Sequence, residues 1–216
     1  DRYCQNLPII HVLTVVESLA DGQKVVRGLF VGDTHEVFFA AGELSAQVNC
    51  FVIDKTPKTV VVTMNPSKYK RTWIANKAIY RTRMLIGDGG RLVIIAPGVK
   101  SFGESSAVDG LIRKYGYRST PQVLEFVEKN EELQANLGAA AHLIHGTSEG
   151  RFEVVYAPGE LTRAEIQSVG YEYADWRELL QRYNCDGLSN GWHRDTLGEE
   201  FYFISDPGLG LWMRAE

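Results

Sequence analysis

The densest chemical feature of the sequence is a run of bases: Lys68, Lys70, Arg71, Lys77, Arg81 and Arg83 follow one another with no acidic residue between Ser67 and Gly87. On a helix that follows a strand, such a run can face a carboxylate or a phosphate, because ligands of open α/β sheets bind beyond the carboxyl ends of the strands. The same run also suits a solvated basic helix face. Two histidines, His142 and His145 in Ala-Ala-Ala-His-Leu-Ile-His-Gly, lie three residues apart and share a helix face. That geometry can bind a metal if Glu149 or a residue distant in sequence supplies a third ligand. A histidine in an Ala-rich helix can equally bond a backbone carbonyl. The turn that follows, Gly146-Thr147-Ser148-Glu149-Gly150-Arg151, offers polar groups to substrate hydroxyls, or is a plain connecting loop. It is not a nucleophile elbow, which requires the order strand, serine, helix. The loop from Gly98 to Glu104 can line a small-acid pocket but has neither the GxGxxG nor the P-loop pattern.

These groups need elements to position them. Thr59–Met64 is a continuous β-branched run of the kind buried in a parallel sheet, and Arg91–Ala96 is a second. Between them Arg71–Ile86 has the helical spacing of Trp73, Ile74, Ala78 and Leu85, stopped by Gly87-Asp88-Gly89-Gly90. A strand, helix, strand unit with parallel strands is expected. Helices are also expected over Ala107–Tyr115, Thr120–Lys129 with Pro121 as first residue, Glu131–His145, Thr162–Val169 and Asp175–Tyr183. Phe152–Tyr156 reads as a strand, and Glu200–Ile204 with Leu209–Met213 as a hairpin around Asp-Pro-Gly. Upstream, Ile9–Val16 and Lys24–Val31 flank the turn signal Asp21-Gly22 and read as an antiparallel pair, followed by a helix over Thr34–Ala46 and a strand over Val48–Ile53. The break from Lys55 to Lys58 sets the boundary. Residues 1–55 are expected to be a small α+β remnant closing an N-terminal domain, and residues 56–216 a C-terminal α/β domain with a largely parallel sheet flanked by helices.

Composition sets the class. With 216 residues, 44% hydrophobic and 23% charged, the chain suits one large domain or a domain plus a piece of another. A net charge of -4 gives no general attraction for nucleic acid. No apolar run approaches the ~18 residues that would span a bilayer, and no signal-peptide pattern opens the chain, so a cytoplasmic protein without a membrane partner is expected. Cys4, Cys50 and Cys185 form no CxxC pair and suit a reducing compartment. The absence of a methionine before Asp1 reads as a piece of something longer.

The ordered series of motifs resembles the lactate racemase family. Ile9 to Asp33, with its Gly-Leu-Phe-Val-Gly-Asp ending, resembles the segment closing that family's N-terminal domain. Val60-Val-Val-Thr-Met-Asn-Pro, then Lys77-Ala78, then Asp88-Gly-Gly-Arg-Leu-Val-Ile-Ile-Ala-Pro-Gly is similar to the start of its C-terminal domain. The resemblance implies a racemase or epimerase of 2-hydroxy acids that carries a nickel-pincer nucleotide, a pyridinium-derived cofactor that takes and returns a hydride while a histidine base removes the hydroxyl proton. The tether, nickel ligand and base residues would belong to the missing N-terminal domain, so no cofactor is expected on this piece. Lys77 matches the lysine that helps hold the substrate carboxylate. Ile74 stands where the family has a glutamine and Phe38 where a histidine often follows. The extra polar residues His142, His145, Ser148, Glu149 and Arg151 would suit a polyhydroxylated acid such as an aldonate. The alternatives are a non-catalytic ligand- or partner-binding α/β domain, or a metal-dependent hydrolase built on the His142/His145 pair.

Overall fold

The structure, a computed structural model, describes residues 7–19 and 23–215, the side chain of Leu209 excepted. The chain divides into two compact units, Asp1–Phe51 with Leu209–Leu211 and Val52–Gly208 with Trp212–Glu216. In the first, β1 (His11–Ser18) and β2 (Lys24–Gly32) run antiparallel as expected, from His11 opposite Gly32 to Ser18 opposite Lys24. The Asp21-Gly22 turn signal lies outside the described residues. Helix α1 (His35–Asn49) packs on the pair, burying Ala41 and Val15, and Asn49 donates to Val16 O at 3.2 Å. Val48 and Asn49, expected as strand, are helical, because Asn49 also bonds back one turn to Ser45 Oγ and so extends the helix to the edge of β3 (Cys50–Ile53). Val12 beside Val31 and Val16 beside Val26 leave an apolar strip of the hairpin exposed, with Val12 at 64% and Val26 at 62%.

The second unit is built on a six-stranded sheet. Its strands are β4 (Thr59–Thr63), β5 (Arg91–Ala96), β6 (Glu153–Pro158), β7 (Glu172–Tyr173), β8 (Gly191–Arg194) and β9 (Glu200–Ile204), in the spatial order β7-β6-β5-β4-β9-β8. All pairings are parallel except β8 with β9. Alternation along the strands separates two cores. Val60, Val62, Leu92 and Ile94 face one, while Val61, Val93 and Ile95 face the other with Phe201 and Phe203. Both faces being dry explains why β4 and β5 are apolar without a break. The larger core is covered by α2 (Thr72–Ala75), α3 (Lys77–Tyr80), α4 (Ser106–Tyr115), α5 (Thr120–Lys129), α6 (Glu131–Gln134), α7 (Leu137–His145) and α8 (Arg163–Ser168). The smaller is covered by α9 (Trp176–Tyr183).

Three expectations need correction. The helix expected over Arg71–Ile86 is two short turns, α2 and α3, broken at Asn76 and followed by irregular chain. Asn76 is buried with its amide bonded to Tyr171, and Thr82 Oγ1 donates back to Ala78 O at 2.6 Å, a bond that competes with helix continuation. The helix expected over Glu131–His145 is interrupted at Ala135 and Asn136, where Asn136 Oδ1 accepts from Ala139 N and caps α7. The last hairpin does not form. β9 lies inside the sheet between β4 and β8, while β10 (Leu211–Arg214) lies outside it, with Trp212 N donating to Arg81 O and Ala215 N to Ile53 O. The hairpin that does form, β8 with β9, turns on Asp195. Its Oδ1 accepts from Leu197 N and Glu199 N and its Oδ2 from Arg182 Nε at 2.7 Å. Among the described residues no helix is long and apolar enough to cross a membrane.

Ile94 is fully buried at the centre of the sheet, whereas Leu124 on α5 is 50% exposed. Ile94→Ala should cost ~2–5 kcal/mol, transfer and cavity together, and Leu124→Ala less than ~0.5 kcal/mol. Denaturant unfolding of the two variants checks this, and equal losses would show that the sheet centre is not the core.

Candidate functional site

The start of α2 is fixed by the loop after β5. Thr72 N donates to Ser101 O at 3.1 Å and Trp73 N to Phe102 O at 2.9 Å. Thr72 Oγ1 also donates to Phe102 O, at 3.0 Å, and lies 2.8 Å from Tyr117 Oη, which lies 2.9 Å from His142 Nε2. Because Thr72 has one proton and gives it to Phe102, its hydroxyl can only accept from Tyr117. Tyr117 then accepts from His142. The thread therefore assigns the proton of His142 to Nε2 and leaves Nδ1 as an acceptor.

Aromatic contacts complete the face. The Trp73 ring lies 4.6 Å from that of His142, and the Tyr80 ring 5.2 Å from that of His145. Trp73 and Tyr80 thus face α7, and Lys77 lies between them in sequence, at the start of α3. Behind this face Tyr117 stacks on Tyr171 at 4.6 Å, and Tyr171 on Tyr156 at 5.6 Å. Tyr171 donates to Gly146 O at 2.7 Å and accepts from Asn76 Nδ2 at 3.2 Å. A Cβ at Gly146 would lie 2.3 Å from Tyr117 Cδ1 and 2.8 Å from Asn76 Nδ2, so only glycine allows this approach.

The structure sets His142 and His145 against Trp73 and Tyr80, which flank Lys77 in the sequence, and gives other work to two of the remaining candidates. Lys77 is half-buried, and among the described residues its ammonium has no hydrogen-bond or ion-pair partner. His142 is 6% exposed, and burial, then the neighbouring His145, lowers its pKa to about 4. His145 is exposed. Glu149, held at φ 53°, bonds Thr120 N at 3.1 Å and the Thr120 hydroxyl, closing the start of α5. Arg151 donates to Asp88 Oδ1 at 2.8 Å, Ile86 O at 2.9 Å and Arg83 O at 3.2 Å, pinning the chain before β5. Ser148 is half-buried in the turn and its carbonyl accepts from Arg151 N. The loop after β5 places Ser101, Gly103 and Glu104 in a cleft of about 370 Å³ with Arg71.

Sequence reasoning missed Trp73, Tyr80, Thr72 and Tyr117. Trp73 and Tyr80 were findable, because they flank Lys77 at helical spacing. Thr72 and Tyr117 were not, since their bonds cross 45 and 25 residues of chain.

No family model and no curated protein matches the sequence. Among solved structures the chain is similar to a protein from Thermotoga maritima, 23% identical with a TM-score of 0.68, over 95% of this chain and 49% of that one. It is also similar to the lactate racemase apoprotein from Thermoanaerobacterium thermosaccharolyticum, 12% identical with a TM-score of 0.63, over 96% of this chain and 46% of that one. The chain thus spans about half the length of both. At these identities the likeness shows a lactate racemase-like fold of the α/β class, and the fold alone.

His142 carries a pH prediction. Its folded pKa of about 4 lies below the ordinary 6.5, so between those values the unfolded chain holds a proton that the folded chain lacks. Stability is unaffected by this group above about pH 6.5 and falls as pH drops through the window, by roughly 3 kcal/mol in total. His142→Gln should flatten the loss between pH 6.5 and 4 in urea unfolding curves. An unchanged acid slope would show that His142 protonates freely in the fold.

Proposed function

We propose that this chain is the C-terminal, substrate-clamping part of a nickel-dependent racemase or epimerase acting at C2 of a 2-hydroxy acid, with Lys77 holding the substrate carboxylate. One observation carries the reading. The lactate racemase-like fold extends over 96% of the chain, and the lysine matched by motif to that family's carboxylate ligand is half-buried on a helix with no partner among the described residues. A half-buried ammonium without a partner among the described residues is ready to donate a charge-assisted bond to a carboxylate. The Nδ1 acceptor of His142 stands one helix away.

The nickel-pincer nucleotide would supply hydride transfer in this chemistry. Among the described residues no group of three His, Cys, Asp or Glu side chains could hold a metal ion. By the family resemblance the cofactor and the base that takes the hydroxyl proton would belong to an N-terminal domain, which this reading makes the chain's main partner. The exposed apolar strip of the β1/β2 hairpin supports the same reading, since a contiguous apolar sheet face is normally covered. A cytoplasmic location goes with the free thiols of Cys50 and Cys185.

An aldonate substrate keeps less support than the sequence suggested. Glu149 and Arg151 are occupied by main-chain groups and Asp88, which leaves His142, His145 and Ser148 for substrate hydroxyls. A metal-dependent hydrolase has no footing here, because His142 gives Nε2 to Tyr117 and the pair lacks a third ligand among the described residues. A non-catalytic ligand-binding domain would share the fold and differ in turnover.

The test uses the full-length protein. It should carry stoichiometric nickel and racemise a 2-hydroxy acid, while the 216-residue chain alone should hold no nickel and show no turnover. Lys77→Ala should lower kcat/KM on the order of tenfold to a hundredfold at unchanged Tm, the loss of one charge-assisted contact. Lys70→Ala, whose ammonium already bonds Pro66 O at 2.6 Å, is the control. Equal and negligible losses in both variants would remove Lys77 from the site.

A further inference from the structure

About half of the cations of the second unit meet carboxylates. Arg91 pairs with Glu153, Arg113 with Asp109 and Glu165, Lys114 with Glu132, and Arg182 with Asp195. Lys77 and Arg81 meet none among the described residues. Arg81 N donates to Lys77 O at 3.1 Å, so the two stand one helical turn apart, with Cβ atoms about 5–6 Å from each other. Arg81 lies over the Tyr80 ring at 5.7 Å, and its Nε is buried with no hydrogen-bond partner. The facing helix α7, Leu137–His145, contributes no Asp or Glu. Two like charges held side by side, one with a buried donor unused, are unfavourable until an anion arrives.

We infer that Arg81 is a second anion-binding residue beside Lys77, so that the ligand of this face carries two acidic groups. Lys77 takes one carboxylate as a point charge. The Nη donors of the Arg81 guanidinium fit the other. Their spacing suits a four- or five-carbon 2-hydroxy diacid better than a monocarboxylate with an apolar or hydroxylated tail. This rests on the reading of Lys77 as the carboxylate ligand and narrows its substrate class.

The 216-residue chain itself is titrated with 2-hydroxysuccinate and with lactate, followed by NMR shifts or calorimetry. The diacid should bind at least tenfold more tightly than lactate. Arg81→Ala should bring the diacid to the affinity of lactate, Arg81→Lys should recover only part, and Lys77→Ala should weaken both acids. Thermal midpoints of the variants separate lost binding from lost fold, and the charge-conserving Arg81→Lys keeps the test valid if alanine destabilises the chain. Equal affinities for the two acids, full diacid binding by Arg81→Ala, or no diacid binding by the chain would each overturn the inference. The racemase reading fails separately: a nickel-loaded full-length protein that binds the diacid through Arg81 yet does not interconvert its enantiomers leaves the anion pair standing.

Discussion

A hydroxyl taken fully out of water costs about 1–3 kcal/mol unless it is partnered, and Tyr117 meets that demand by reaching Thr72 on α2 and His142 on α7. The histidines of the candidate site stand on α7, and Lys77 opens α3, the turn that follows α2. One buried oxygen thereby sets the distance between them. The ring behind it is held by stacking on Tyr171, whose own hydroxyl is tied to Gly146 and Asn76. The α2 turn cannot move outward without breaking the bond to Tyr117, nor α7 without breaking the bond from His142. Thr72 is pinned in turn to Phe102 O, at the exit of β5. The site is positioned from the sheet outward through a short series of polar contacts inside an apolar core.

The same burial decides the electrostatics of the face. Tyr117 is buried beside His142, and its ionisation is pushed far up by loss of water, so it stays a neutral donor. His142 is neutral for the corresponding reason, because its cation would be stripped of water and repelled by His145. Near neutral pH, then, the fixed positive charge here comes from Lys77 and Arg81, while the histidine offers a lone pair. In a protein of net charge -4 this local excess is a property of arrangement rather than composition.

How much of this could be read in the sequence follows from which interactions are local. β4 and β5 were legible because strands buried on both faces must be apolar through their buried length, and Val60 to Val62 and Leu92 to Ala96 are. Lys77 and His142 were legible because residue type and helical spacing both mark them. The breaks at Asn76 and Asn136 were not, since each depends on what the asparagine amide can reach once the chain is folded. Glu149 and Arg151 looked like ligand groups for a similar reason. Nothing near them in sequence reveals that Thr120 and Asp88 arrive to occupy them. β9 was misjudged as a hairpin arm because an Asp-Pro-Gly turn signal says that the chain bends, not which strand it returns to.

The proposed role of Lys77 as an anion ligand depends on what the side chain need not give up on binding. Its neighbours Ala75, Ala78 and Ile79 are fully buried against the sheet, so the backbone that carries it is already fixed. Ordering a lysine side chain costs up to ~2 kcal/mol of rotamer freedom. A half-buried lysine has surrendered part of that freedom on folding. What binding still requires is partial dehydration of the ammonium, which the charge-assisted bond must outweigh. Arg81 shifts that balance. Its guanidinium is more weakly hydrated than an ammonium and its buried Nε has no hydrogen bond to lose, so the second contact adds attraction at a smaller cost in water.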